Sequence, residues 1–265
     1  MAAYEDFAYV YDEFMDETPY EEWCERIDAL IRKYGVSSPK RDAQDALDSE
    51  KNLVLDLGCG TGTLTELLYQ KGYDMIGLDN SEAMLNIAMD KKAANGAEIL
   101  YLLQDMRDFE LYSTVGTVVS VCDCVNYILE EKDLIKVFSL VNNYLYPGGI
   151  FVFDFNTDYK YREVIGDTVI AENRESCSFI WENYYDEAEG LNEYDVTIFV
   201  QEDEELFRRF TETHVQRGYT PEQMKHLLQE AGLELVEMLD SDTEEAVTAQ
   251  SERVLVVARE QGKHL

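Results

Sequence analysis

From residue 52 onward, short apolar runs alternate with amphipathic segments whose apolar positions recur every three to four residues. That alternation is expected of strands and helices succeeding one another in a doubly wound parallel sheet. Residues 53–57, Leu-Val-Leu-Asp-Leu, read as a buried strand, with a helix over about 61–70 that stops near Gly72. Further strands are expected over 73–78, closed by Asp79, over 98–103 and over 117–122. Ser81 caps a helix through Ala83, Met84, Ile87 and Ala88 that ends near Gly96. A helix over 132–146 should stop at Pro147-Gly148-Gly149 and release a strand over 150–155.

The rhythm changes after Thr168. Up to Gln216 there are strand-like runs without helices, such as 178–185 and 194–200, and Gly190 between these two suits a turn. An inserted antiparallel sheet is the simplest account. Thr220-Pro221-Glu222-Gln223 then starts a helix that runs to Ala231-Gly232, and strands over 233–239 and 253–258 close the core. Ahead of the core, Thr18-Pro19-Tyr20-Glu21 resembles the same kind of start. Trp23, Ile27, Leu30, Ile31 and Tyr34 form the apolar stripe of the expected helix, and Gly35 its stop. Residues 37–50 are polar and aperiodic, a linker or weak helix.

The strand at 53–57 leads into Gly58-Cys59-Gly60-Thr61-Gly62, a turn that lets backbone N–H groups approach a ligand. A dinucleotide site wants glycine at the sixth position, where Thr63 stands, and there is no lysine followed by Ser or Thr to make a P-loop. Both phosphate readings are weakened. The balance of 55 acidic against 22 basic side chains, a net charge of −33, repels nucleic acid and anionic membrane surfaces. No apolar run reaches membrane-spanning length and the N-terminus lacks a signal-peptide layout, so a cytoplasmic location is expected. The five cysteines are odd in number and scattered, which suits reduced thiols; Cys122 and Cys124, two apart on an expected strand, read as packing residues and not as metal ligands.

The stretch from Val54 to Gly62 resembles the first motif of the class I S-adenosylmethionine-dependent methyltransferases. Asp79 in Gly-Leu-Asp-Asn-Ser-Glu-Ala-Met and Asp105 in Leu-Gln-Asp-Met-Arg match the acids that family places after its second and third strands. The resemblance covers most of the chain and implies a Rossmann-like, seven-stranded sheet with an inserted antiparallel sheet. It divides the chain into an N-terminal helical lid and linker (1–50), a cofactor-binding core (51–160 and 217–265) and an inserted substrate-binding subdomain (161–216). S-adenosylmethionine is the implied cofactor. Gly58, Cys59, Gly60 and Gly62 with the following helix would hold its carboxylate, Asp56 its amine, and Asp79 with Asn80 its ribose. Asp105 would take the adenine amino group, with Met106 nearby and Met84 against the ring.

Ligands of open parallel sheets bind beyond the carboxyl ends of the strands, which puts Asp123, Asn126 and Tyr127 beside the transferred methyl group. Asp123 is counted with the cofactor contacts and Tyr127 with the reacting groups. Tyr9 and Tyr11 lie in a tyrosine-rich leader similar to that of glycine and sugar N-methyltransferases, where it covers the site; their rings would meet the sulfonium. By strand alternation Glu212, His214 and Gln216 share one face, and the ordinary pKa of His214 suits either a general base or a structural role. The aminosugar N-methyltransferases carry a histidine base where Tyr127 stands, a departure that counts against an aminosugar acceptor. The expected partner is a small-molecule methyl acceptor, the expected state a monomer or homodimer; tRNA modification and non-catalytic cofactor binding are the alternatives.

Overall fold

The computed structural model describes residues 7–39, 49–203 and 206–263. The first part of the leader and most of the expected linker therefore lie outside the described residues. The chain enters through α1 (Ala8–Phe14), α2 (Tyr20–Tyr34) and the single turn α3 (Ser49–Asn52). It then alternates β1 (Leu53–Leu57), α4 (Thr63–Lys71), β2 (Asp74–Asp79), α5 (Glu82–Asn95), β3 (Leu100–Leu103), β4 (Val115–Ser120), α6 (Glu131–Tyr144) and β5 (Leu145–Asn156). A short helical turn over Lys160–Ile165 then leads into four strands with no helix between them among the described residues: β6 (Val169–Asn173), β7 (Cys177–Asp186), β8 (Leu191–Asp203) and β9 (Leu206–Arg217). α7 (Pro221–Glu230), β10 (Leu233–Asp240) and β11 (Arg253–Glu260) complete it.

Among the described residues the strands form two sheets. One has the order β10-β11-β5-β4-β1-β2-β3, parallel from β5 to β3, with β11 antiparallel to both β5 and β10. The order reverses between β1 and β4. Strand alternation sends β1 side chains to two cores: Val54 joins Ile27, Ile31, Leu64 and Leu68 of α2 and α4, while Leu55 and Leu57 join Leu134, Phe138, Met224 and Leu228 of α6 and α7. Each such fully buried aliphatic side chain contributes about 2 kcal/mol.

The second sheet, β6-β7-β8-β9, is antiparallel, as expected of the insert. Its Tyr194, Val196 and Ile198 pack with Val10 and with Phe7 and Phe14 of the leader. α1 therefore has its apolar side on the insert. No helix among the described residues is long and apolar enough to cross a membrane.

Three local expectations are corrected. α2 has Pro19 at its N-cap and no side-chain cap, because the Thr18 hydroxyl donates to Met15 Sδ at 3.7 Å. Pro147-Gly148-Gly149 does not precede the fifth strand but lies inside β5. The β4 partner register jumps from Leu145 to Ile150, so the three residues bulge out, with Gly148 at φ +75°. β4 ends at Ser120, and Cys122 and Asp123 adopt left-handed φ of 65° and 53°. The Asp154 carboxylate imposes that turn by accepting both their N–H groups, at 3.2 and 2.9 Å.

Candidate active site

A cavity of about 310 Å³ opens beyond the carboxyl ends of β1, β2 and β4, at the reversal of strand order. Its floor is the glycine turn. The N–H groups of Gly58 and Cys59 donate to Leu78 O, and that of Gly60 donates to Asp79 Oδ2 at 2.8 Å. Gly60, at φ +53°, has no protein atom within 4 Å of where a Cβ would stand, so that position faces open cavity. At Gly58 a Cβ would sit 2.7 Å from Cys124 Sγ. The two glycines thus differ, Gly60 opening on the cavity and Gly58 packed against Cys124.

The carboxylates differ in environment. Asp56 is 2 % exposed and accepts the Thr65 hydroxyl at 2.6 Å, yet burial pushes its carboxyl up to about 7, the Asp79 charge adding to the rise. Burial also raises Asp79, against the N–H groups of Ser81 and Gly60 that hold its two oxygens. Each of those oxygens keeps a lone pair for a ligand hydroxyl. Asp105 is the opposite case. The Arg107 guanidinium grips it from two nitrogens, Nε at 2.9 Å and Nη2 at 2.5 Å, and holds its carboxyl below the usual range as a fixed acceptor.

Asp56, Gly58, Cys59, Gly60, Asp79, Asn80, Met84, Asp105 and Met106 all line the cavity, as do Tyr11 and Tyr127 at its other end. The Tyr11 hydroxyl lies 3.8 Å from Cys122 Sγ. Burial pushes the Cys122 thiol up to about 12, so it is protonated near neutral pH. Asp12 fastens the leader to the glycine turn, accepting from the Thr61 hydroxyl at 2.6 Å and pairing with Lys91 at 2.5 Å.

Five expected residues stand elsewhere. Tyr9 is 73 % exposed and outside the cavity, because α1 turns Ala8 and Val10 inward instead. Gly62, at φ +77°, is the N-cap of α4, where any Cβ would collide with the Tyr101 hydroxyl. Asp123 points away from the cavity lining into a buried cluster, paired with Arg253 at 2.9 Å and accepting from Gln216 at 2.6 Å. His214 is 1 % exposed and outside the cavity lining, with its Nδ1 bonded to Tyr127, which lines it. Asn126 is a clamp: its amide donates to Asn156 O and Arg217 O and accepts the Asn156 N–H.

Tyr20, Thr61, Thr63, Gln104 and Arg107 also line the cavity and were not anticipated as site residues. Thr61, Thr63 and Arg107 adjoin the motifs and were within reach of sequence reasoning. Tyr20 was not, since it reads only as the start of an amphipathic helix; its hydroxyl bonds Tyr11 and its pKa is raised by burial.

The open space at Gly60, the two-oxygen acceptor at Asp79 and the absence of phosphate chemistry in the turn fit a nucleoside with an amino-acid tail. A family profile for a methyltransferase domain matches residues 54–149. A protein of Geobacillus sp. (strain WCH70), provisionally named a methyltransferase, is 35% identical over 97% of this chain and 99% of its own length. A solved S-adenosylmethionine-dependent methyltransferase from Clostridium acetobutylicum ATCC 824 superposes with a TM-score of 0.83 at 28% identity, covering 98% of this chain and 100% of that one. The sugar N-methyltransferase KedS8 from Streptoalloteichus sp. ATCC 53650 shares the fold at 18% identity, with a TM-score of 0.73 and coverage of 95% and 93%. The chain belongs to the S-adenosylmethionine-dependent methyltransferases.

Proposed function

We propose that the acceptor is a small molecule presenting a nitrogen or oxygen nucleophile, amines first among them. The carrying observation is the closure of the reacting end. Tyr11, Tyr20, Cys122 and Tyr127 wall it, and Asp12 latches the leader down on Thr61. A cavity of about 310 Å³ is at the low end of ligand pockets, so the cofactor leaves little room beside it. The net charge of −33 supports the same reading, since it disfavours a polyphosphate acceptor. The described cysteines are all free, which suits a reducing compartment such as the cytoplasm.

Bound S-adenosylmethionine supplies an electrophilic methyl group on a sulfonium. The chain's own residues bind and orient it. Gly60 leaves room for it, the first-turn N–H groups of α4 favour its carboxylate, and Asp79 takes its ribose hydroxyls. Asp56 balances its amine, Asp105 accepts from its adenine with Met84 packed alongside, and the Tyr11 and Tyr20 rings favour positive charge at the sulfur. The leader and the region 161–216 would form the acceptor pocket and exclude water. Sugar N-methyltransferases share this fold, which supports an amine acceptor.

The test is methyl transfer from methyl-labelled S-adenosylmethionine to a panel of small amine, hydroxyl and carboxyl acceptors and, separately, to bulk tRNA. Label in a small acceptor and none in tRNA is expected. Label in tRNA alone overturns the assignment, and cofactor binding without turnover on any acceptor replaces it with a non-catalytic role.

A further inference from the structure

Tyr127 connects the cavity to a buried set of polar groups in the insert. Its hydroxyl lies 2.8 Å from Tyr194 Oη and 3.1 Å from His214 Nδ1. His214 and Glu212 are 1 % and 7 % exposed and share the inner face of β9. The second ring nitrogen of His214, Nε2, lies 3.6 Å from Glu212 Oε2, while Glu212 Oε1 accepts the Phe7 N–H of the leader at 2.9 Å. The imidazole stacks on Tyr194 at 4.9 Å, within 6° of parallel, and meets Phe7 and Tyr127 edge-on. The described groups that face it include Glu212 from its own strand, Tyr194 from β8, Tyr127 from the turn after β4 and Phe7 from the leader. The nearby Asp123 is paired with Arg253.

Counting protons orders the chain. With the Tyr194 hydroxyl donating to Tyr127, Tyr127 donates to His214 Nδ1, which leaves Nε2–H turned toward the Glu212 carboxylate. A lone tyrosine is a poor base near neutral pH, but one that hands its proton to an imidazole while receiving another acts with the basicity of the imidazole.

We infer that Tyr127, His214 and Glu212 form a proton relay that deprotonates an acceptor arriving as an ammonium ion, and that seating of the leader on Glu212 completes it. This rests on the small-molecule reading above. One N–H bond of the ammonium breaks and its proton moves to Tyr127 Oη, as the Tyr127 hydroxyl proton moves to His214 Nδ1. The acceptor nitrogen keeps the electron pair and becomes a nucleophile. Tyr127 ends neutral, and His214 ends as an imidazolium facing the Glu212 carboxylate. The relay returns its proton to water between turnovers. In this chain Tyr127 is the catalytic residue, and His214 and Glu212 are positioning residues that act through it.

Three variants test it: Tyr127→Phe, His214→Asn and Glu212→Gln. With an amine that the wild type methylates, Tyr127→Phe and His214→Asn should lower kcat by about 10²- to 10⁴-fold near neutral pH. Calorimetric affinity for S-adenosylmethionine should stay within about twofold, and activity should recover as pH approaches the acceptor's own pKa, where free amine arrives unaided. Histidine-selective NMR supplies a readout without turnover, since the chain has only His214, His226 and His264 to assign. In the resting enzyme the ring nitrogen shifts should report the Nε2–H tautomer of His214, and Glu212→Gln should lower kcat near neutral pH with recovery at high pH, as in the other two variants. An Nδ1–H tautomer, or variants that keep the wild-type pH–rate profile, overturns the relay alone. Failure of the wild type to methylate any amine overturns the ammonium substrate of the relay, while label in a small hydroxyl or carboxyl acceptor would leave the small-molecule reading standing.

Discussion

Asp56 should make cofactor binding proton-linked. It sits at 2 % exposure with a carboxyl raised to about 7, chiefly by burial. Between the ordinary carboxylate range and pH 7 the folded, ligand-free chain holds a proton that the unfolded chain has released. Its stability therefore falls as pH rises through that window, by roughly 4 kcal/mol at most. A cationic amine set against Asp56 selects the ionised form, so binding expels the proton. The apparent Kd then carries a factor of 1 + 10^(7 − pH), about 11 at pH 6, about 2 at pH 7 and about 1.1 at pH 8. Calorimetry with S-adenosylmethionine should show about tenfold weaker binding at pH 6 than at pH 8. Repeated in buffers of different ionisation enthalpy, it should count about half a proton released per cofactor at pH 7. Asp79, raised in the same direction, adds to the slope. An Asp56→Asn variant isolates the Asp56 share: it should bind more weakly at pH 8, with a flatter pH dependence, and melt higher than wild type without ligand. Affinity constant from pH 6 to pH 8 with no proton release would refute the reasoning.

The other expectations concern the walls of the same cavity. Asp79→Ala removes the acceptor for two ribose hydroxyls and should weaken S-adenosylmethionine at least tenfold by calorimetry, since a hydrogen bond to a charged group is worth about 1.5–3 kcal/mol; unchanged affinity removes Asp79 from the site. Gly60→Ala and Gly58→Ala should separate binding from folding. The first places a methyl in open cavity and should lower cofactor affinity, with a loss of folding stability limited to the roughly 1–2 kcal/mol of a side chain at φ +53°. The second meets Cys124 Sγ at 2.7 Å and should lower melting temperature first. Asp12→Ala cuts the leader's latch to Thr61 and Lys91 and should raise the cofactor dissociation rate several-fold in stopped flow, with the melting temperature nearly unchanged.

What was legible in the chain was local. The strand, glycine turn and helix around Gly58 to Gly62, the Ser81 cap and the Thr220–Gln223 capping box are written in adjacent residues, and each formed as expected. Misreadings arose where a distant residue decides the backbone. Cys122 and Asp123 leave the strand because Asp154, some thirty residues on, accepts their N–H groups. Asp123 then turns to Arg253, across 130 residues, and away from the cofactor side. Pro147-Gly148-Gly149 does mark where α6 ends, at Tyr144, but that β5 begins at Leu145 and carries the proline as a bulge depends on register against β4, which nearby residues do not encode. His214 was visible as a candidate by type and strand alternation, but its link to the cavity through Tyr127 spans 87 residues.

The most direct test of the methyltransferase assignment of this cavity is a crystal structure with S-adenosylhomocysteine bound. The expected result has both ribose hydroxyls on Asp79, the amino-acid tail over Gly60, and the sulfur facing the end walled by Tyr11, Tyr20 and Tyr127. A ligand bound elsewhere, or one whose sulfur faces away from those tyrosines, would contradict it.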